Sequence, residues 1–139
     1  MSEQENTAII QKAYDAFGRG DIQTILDSVT EDVEWGLEGP DAIAFAGKKK
    51  GPAEVLTFFQ ALAGTLQDMK LSIEFFVAQN DRVASMGRFS GTVVATGKSF
   101  DVPLAHFFTI RDGKVSRFVD FTDTAATVEA YTKASAASR

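Results

Sequence analysis

The sequence contains no cysteine among its 139 residues. Disulfide bonds, thiolate nucleophiles and zinc sites built from cysteine are therefore excluded. There is also a single histidine, His106, so one chain cannot supply a metal site made of several histidines. We expect neither a bound metal ion nor an organic cofactor.

Long apolar runs and basic clusters are missing as well. Neither a membrane-spanning apolar stretch nor a signal-peptide pattern is present, which predicts a cytoplasmic protein that does not enter a membrane. The 14 Lys and Arg residues oppose 19 Asp and Glu residues, for a formal net charge of −5. Because phosphate binding requires clustered basic side chains, we expect no nucleic-acid partner. The one basic run, residues 48–50, lies in a segment (38–50) that predicts a solvated loop.

Phenylalanine is the abundant aromatic residue, with 12 copies against one Trp and two Tyr. Its side chain contributes large apolar area without a polar group, which suits a thick core or an apolar cavity. The length predicts a single domain that spans residues 1–139.

Hydrophobic periodicity places helices before strands. Helical spacing predicts helices over residues 7–18, 22–28, from 51 onwards and over 124–134. Alternation predicts strands over 33–37, 71–77, 82–95, 99–110 and 114–121, with a frayed tail at 136–139. This order predicts an α+β fold, a cone-shaped α+β barrel in which a curved antiparallel sheet wraps over three N-terminal helices around an internal pocket. Gly87 and Gly91 predict bulges or strong curvature.

His106 and Asp120 lie in the middle of the two last apolar strands. An ionisable group inside an apolar layer is costly unless it is paired or used. If both side chains enter one cavity, they form a candidate acid–base pair. The structural alternatives are a satisfied core or interface histidine, and an aspartate that caps the following helix or pairs with Arg88 or Arg117.

The register of the hairpin between these strands decides whether the pair shares a face. A two-residue turn at 112–113 pairs Ile110 with Val115 and turns His106 away from Asp120. A three-residue loop at 111–113, with a glycine bulge, pairs Ile110 with Lys114 and places the two polar groups diagonally on one face. We favour the bulged loop, because it collects the more apolar residues of the 99–110 strand on a single face.

Four short stretches of the sequence resemble the nuclear-transport-factor-2-like superfamily, and within it the SnoaL-like polyketide cyclases and the ketosteroid isomerases. They are residues 13–21, where a helix ends in Gly-Asp, residues 30–35, residues 45–55, and the run from Thr96-Gly97-Lys98 through His106 to Asp120. The resemblance covers nearly the whole chain and implies a ligand inside the cone. It specifies the fold better than the reaction.

The resemblance also implies roles for the polar pair. Asp120 stands where SnoaL-like cyclases carry the acid–base aspartate of an intramolecular aldol closure, and His106 matches a polar pocket position. The sequence departs from the isomerases at two places: Leu37 aligns with their catalytic base, and Ala13 aligns with their tyrosine, with Tyr14 one step away. The Arg-x-Asp spacing of the limonene epoxide hydrolases of this superfamily is absent.

The leading hypothesis is a cofactor-independent enzyme that uses Asp120 and His106 on a small hydrophobic carbonyl compound, polyketide-like or steroid-like. A non-catalytic domain that binds a hydrophobic small molecule, and a scaffold with a filled cone, are the alternatives. Apolar residues on the outer sheet face predict a homodimer. The predicted ligand-pocket residues are Trp35, Tyr14, Phe17, Phe59, Phe89, Val93, Leu104 and Phe118.

Overall fold

A computed structural model of the chain describes residues 2–133. Over this range the chain forms four helices and six strands. The helices are α1 (Glu3–Gly18), α2 (Ile22–Asp27), α3 (Gly51–Thr65) and α4 (Thr124–Tyr131). The strands are β1 (Val29–Leu37), β2 (Gly47–Lys50), β3 (Leu66–Gln79), β4 (Arg82–Val93), β5 (Ser99–Arg111) and β6 (Lys114–Thr122).

Local capping explains where the helices begin. Helix α1 starts four residues earlier than its apolar stripe predicts, because Ser2 and Glu5 form a reciprocal capping box. Asp21 caps α2 by accepting a hydrogen bond from the Thr24 amide, as its position in the sequence predicts. Asp123 caps α4 in the same way. The predicted end of α4 at residue 134, and the tail at 136–139, lie outside the described residues.

The six strands form one sheet in the order β2-β1-β6-β5-β4-β3. The α+β class and the curved, largely antiparallel sheet are confirmed, with one parallel pair, β1 against β6. The sheet stays open in the described part of the chain, since β2 and β3 are edges rather than partners. The loop prediction for 38–50 was wrong at its end, where residues 47–50 pair with β1. This edge strand carries lysines and lacks apolar alternation, so only its backbone pairing defines it.

A bulge in β3 corrects the predicted alternation of that strand. Ile73 pairs with Gly87 and Phe75 with Met86, which leaves Glu74 as the extra residue. Beyond the bulge the side chains change faces, so Phe75 is 48% exposed instead of facing the core. Gly87 permits the close approach, because a Cβ atom there would lie 1.9 Å from the Ser72 carbonyl oxygen.

Helices α1 to α3 pack against one face of the sheet and leave a cavity between the two layers. Strand β5 contributes a continuous buried face to this layer: Phe100, Val102, Leu104, His106, Phe108 and Ile110. In residues 2–133 we find no helix that is both long and apolar enough to cross a membrane.

The contact at Gly87 predicts a specific sensitivity of the sheet. Gly87→Ala should lower the free energy of unfolding by about 2 kcal/mol, because the added methyl group displaces the backbone of β3. Gly91→Ala on the same strand is the matched control, since its nearest neighbour would be the Phe100 ring at 3.5 Å, an ordinary contact. We expect that control to stay within about 0.5 kcal/mol of wild type. Urea unfolding measures the free energy of unfolding of both variants. Equal losses would contradict a special role of Gly87 in the close approach of β3 and β4.

Candidate active site

The β5–β6 hairpin has a register that neither prediction contained. The turn is the two-residue one, with positive φ at Asp112 (52°) and Gly113 (78°), and Ile110 pairs with Val115. The bulge comes later, at Ser116, and moves the register by one residue. His106 therefore lies directly opposite Asp120, on the same face of the sheet, rather than diagonal to it.

Two local features account for the bulge at Ser116. The Ser116 hydroxyl donates a hydrogen bond to the Thr109 carbonyl oxygen at 3.2 Å, which holds the extra residue against β5. The bulge also lets Val115 and Phe118, three positions apart, both face the core. Strict alternation would expose one of them, so burial of this apolar pair favours the observed register.

The side chains of His106 and Asp120 form a buried contact. The distance from His106 Nε2 to Asp120 Oδ1 is 3.3 Å, and the two residues are 6% and 8% exposed. The contact lies within ion-pair range, but Asp120 Oδ1 makes no aligned hydrogen bond to any group in residues 2–133. Asp120 lines the cavity, so its carboxylate can accept a hydrogen bond or a proton from a ligand.

The other nitrogen of His106 is held by α1. The Tyr14 hydroxyl lies 2.6 Å from His106 Nδ1 and 2.6 Å from Ser85 Oγ on β4. An ionised Asp120 can only accept, so Nε2 of a neutral imidazole carries the hydrogen and Nδ1 accepts from Tyr14. The Tyr14 oxygen then accepts from Ser85, and all four side chains join one chain of contacts.

Burial raises the pKa of the Tyr14 phenol well above its ordinary value. The Ser85 hydrogen bond lowers this pKa by a smaller amount, and the Asp120 charge raises it further. The phenol therefore stays protonated at neutral pH and can donate to the imidazole.

Aromatic rings hold the imidazole in place. The Phe118 ring meets it edge-on at 4.9 Å between centroids, and the Tyr14 ring lies nearly parallel to it at 5.9 Å. With Nδ1 hydrogen-bonded to Tyr14, Nε2 in contact with Asp120 and the ring enclosed, the orientation of His106 is restricted.

The cavity beside this pair has a volume of about 80 Å³. Seven predicted pocket residues line it: Trp35, Tyr14, Phe17, Phe59, Phe89, Leu104 and Phe118. Val93 does not, because it pairs with Leu66 at the end of β4 and packs as core. His106, Asp120 and Tyr14 supply the ionisable groups of a largely apolar lining.

Sequence reasoning missed several residues of the site. Ile10 and Ala13 line the cavity from α1, one turn from Tyr14 and Phe17, and helical spacing alone could have found them. Ser85 was also missed, although it is the polar residue among inward positions of β4 and is completely buried. A buried hydroxyl at an inward strand position indicates a hydrogen-bond partner across the core.

Trp35 lies on the same wall as Asp120. It is 6% exposed, and its ring packs on Phe118 with centroids 4.2 Å apart. Trp35 and Phe118 are register partners in the parallel β1–β6 pair. The next inward-facing partners on these strands are Leu37 and Asp120. Trp35 Nε1 has no hydrogen-bond partner among residues 2–133.

Two of the structural alternatives for Asp120 are taken by other residues. Asp123, not Asp120, caps α4, and Arg88 pairs with Asp101 on the outer face at 2.9 Å. Among the described residues, no group of three or more His, Asp or Glu side chains is arranged to hold a metal ion.

Comparison with known proteins places this fold in a large group of solved structures. A nuclear-transport-factor-2-like protein from Burkholderia xenovorans LB400 is 31% identical, with a TM-score of 0.86 over 95% of this chain and 99% of that one. TerC, co-crystallised with polyporic acid, is 31% identical, with a TM-score of 0.82 over 91% and 98%. A protein from Jannaschia sp. CCS1, provisionally named a SnoaL-like polyketide cyclase, shares the fold at 20% identity, with a TM-score of 0.81 over 96% and 95%.

The Burkholderia xenovorans neighbour defines the class as nuclear-transport-factor-2-like. Residues 10–118 match the SnoaL-like domain family, so the chain belongs to that family. No curated protein gives a significant sequence match.

The shared hydroxyl contact of Tyr14 predicts energetic coupling. Tyr14→Phe should lower the free energy of unfolding by about 1–3 kcal/mol, because it leaves Ser85 and His106 Nδ1 buried without a partner. Ser85→Ala should also destabilise, and the double variant should lose less than the sum of the two single losses. Urea unfolding of all four proteins gives the coupling energy.

Tyr131→Phe is the matched control, since its hydroxyl contacts Thr65 at 2.7 Å in a less buried setting. It should cost less than Tyr14→Phe. Additive losses at Tyr14 and Ser85 would show that the two hydroxyls do not cooperate.

Proposed function

We propose that the protein is a cofactor-independent enzyme that removes a proton beside the carbonyl group of a small hydrophobic compound. The observation that carries this proposal is the Asp120–His106 pair at a largely apolar cavity, where Asp120 Oδ1 faces His106 Nε2 without forming a hydrogen bond among residues 2–133. Isomerisation, cyclisation or dehydration can follow from the resulting enolate. Membership of the SnoaL-like family supports this reaction class.

In this mechanism Asp120 is the base. It accepts the proton from the carbon next to the carbonyl and returns it to another atom of the product. His106 orients the carboxylate rather than binding the enolate oxygen, because both of its ring nitrogens already have protein partners. The hydroxyls of Tyr14 and Ser85 fix the imidazole tautomer.

The cavity volume limits the substrate. About 80 Å³ is well below the volumes of roughly 300–1,000 Å³ that are usual for sites of drug-sized ligands. The present conformation therefore favours a small cyclic or short-chain carbonyl compound over a steroid-sized one. The name of the Jannaschia relative and the co-crystallisation of TerC with polyporic acid support a cyclic or polyketide-like substrate.

Exchange of α-protons tests the chemistry without knowledge of the natural substrate. In D₂O, the wild-type protein should accelerate deuterium uptake by at least one of a panel of small ketones, cyclohexanone and acetophenone included, as followed by ¹H NMR. Asp120→Asn should reduce this acceleration by about 10²–10⁴-fold, since it removes the base.

Asp101→Asn is the matched control, because it makes the same substitution on the outer face of the sheet. It should keep wild-type exchange. Exchange that survives in Asp120→Asn would refute the proposal. Ketone binding without exchange in the wild type would favour the non-catalytic binding domain instead.

We also propose a homodimer formed through the outer face of the sheet. Large apolar side chains that are 45–57% exposed follow one another across four strands of this face: Phe75, Val77, Met86, Phe107 and Phe121. Strand pairing brings Phe75 beside Met86, and the rings of Phe107 and Phe121 contact each other with centroids 5.6 Å apart. A contiguous apolar patch of this kind marks an interaction surface.

A charge at the centre of this patch should disrupt the dimer. Phe107→Glu should weaken dimerisation by about 30-fold or more, the effect of losing an aromatic hot spot. Gln60→Glu adds the same charge on the exposed side of α3 and should leave the dimer mass in solution as in the wild type. Light scattering across a dilution series measures both. A wild-type protein that is monomeric throughout the series would exclude this interface.

A further inference from the structure

We infer that the indole N–H of Trp35 is a recognition group that donates a hydrogen bond to the carbonyl oxygen of the ligand. This inference rests on the proposed function, because it concerns the same cavity, and it assigns a role that the acid–base pair does not cover. Trp35 becomes a residue that determines specificity: it selects ligands that carry an acceptor oxygen beside the acidic proton.

The surroundings of Trp35 explain why its N–H needs an outside partner. The neighbouring rings are Phe58, Phe59 and Phe118, none of which has an acceptor oxygen. Trp35 is only 6% exposed, and its Nε1 has no hydrogen-bond partner in residues 2–133. A buried donor without a partner is rare in native proteins, since it loses its bonds to water without compensation. A phenylalanine would fill such a wall without this cost.

Trp35 and Asp120 complement each other chemically. Both residues line the cavity; the indole N–H can donate but not accept, and an ionised carboxylate can only accept. The parallel pairing of β1 with β6 places them one inward position apart on adjacent strands. One ligand that offers a carbonyl oxygen and a proton on the neighbouring carbon, three bonds from that oxygen, can satisfy both atoms.

This pairing narrows the ligand class. An apolar hydrocarbon would fill the cavity but leave both atoms unpartnered. A carboxylate ligand would place its charge near Asp120, which repels it. The class that fits both atoms is a neutral ketone or enol of about one ring, bound with its oxygen toward Trp35 and its acidic proton toward Asp120.

The single tryptophan makes this contact directly observable. The ¹⁵N-labelled protein has one indole N–H resonance, that of Trp35. We expect cyclohexanone to move this resonance downfield and to slow its exchange with water. Methylenecyclohexane, which has nearly the same shape but carries CH₂ in place of the oxygen, should produce neither effect at equal occupancy. Equal responses to the two probes, or no response to either, would overturn the inference.

A variant gives a second, independent measure. Trp35→Phe should weaken the binding of cyclohexanone by about 5- to 10-fold more than the binding of methylenecyclohexane, as measured by ligand-observed NMR. A loss that is the same for both probes would mean that the indole only packs against the ligand. The wild-type resonance keeps the inference testable if this variant fails to fold.

The same samples separate the two proposals. Asp120→Asn should abolish α-proton exchange but keep the response of the indole resonance to cyclohexanone. Exchange in the wild type without an indole response would refute the role of Trp35 and leave Asp120 as the base. Exchange that survives in Asp120→Asn, with the indole response intact, would refute the base and leave Trp35 as a recognition group.

Discussion

The structure depends on how one imidazole is accommodated in an apolar wall. A buried histidine needs a partner at each ring nitrogen, because an unpartnered polar atom in the core costs about 1–3 kcal/mol. His106 meets this requirement through Tyr14 on α1 at one nitrogen and Asp120 on β6 at the other. The contacts therefore connect the helical layer to the sheet across the cavity. They also leave no nitrogen of His106 without a protein neighbour, which is why the proposed mechanism takes Asp120 as the base.

This arrangement requires irregular strands. A regular hairpin would turn Asp120 away from His106, and the bulge at Ser116 supplies the one-residue shift that brings them together. The bulge in β3 and the missing side chain at Gly87 act at the opposite side of the sheet, where they let two strands approach closely. Bulges bend and twist a strand. The same departures from ideal geometry thus curve the sheet around the cavity and aim the polar pair into it.

Much of this could be predicted from the sequence, and the failures have physical causes. The inward face of β5 follows from alternation, which depends only on the side-chain direction of a strand. The register of the hairpin does not follow, because a bulge depends on which pairing buries most apolar surface, and Val115 with Phe118 was the available signal. Strand β2 escaped prediction because its pairing uses backbone groups alone. Ser85 escaped because its partner comes from α1, a contact that no local pattern encodes.

The buried polar atoms around the cavity fall into two groups, those with partners in the protein and those without. One group of polar side chains has partners within the protein: Tyr14, Ser85 and both nitrogens of His106 contact one another or Asp120. Trp35 Nε1 and Asp120 Oδ1 lack hydrogen-bond partners in residues 2–133, although both residues line the same small space. Under the proposed function one ligand completes both atoms. The free energy that each atom loses by being buried without a partner then contributes to specificity on binding.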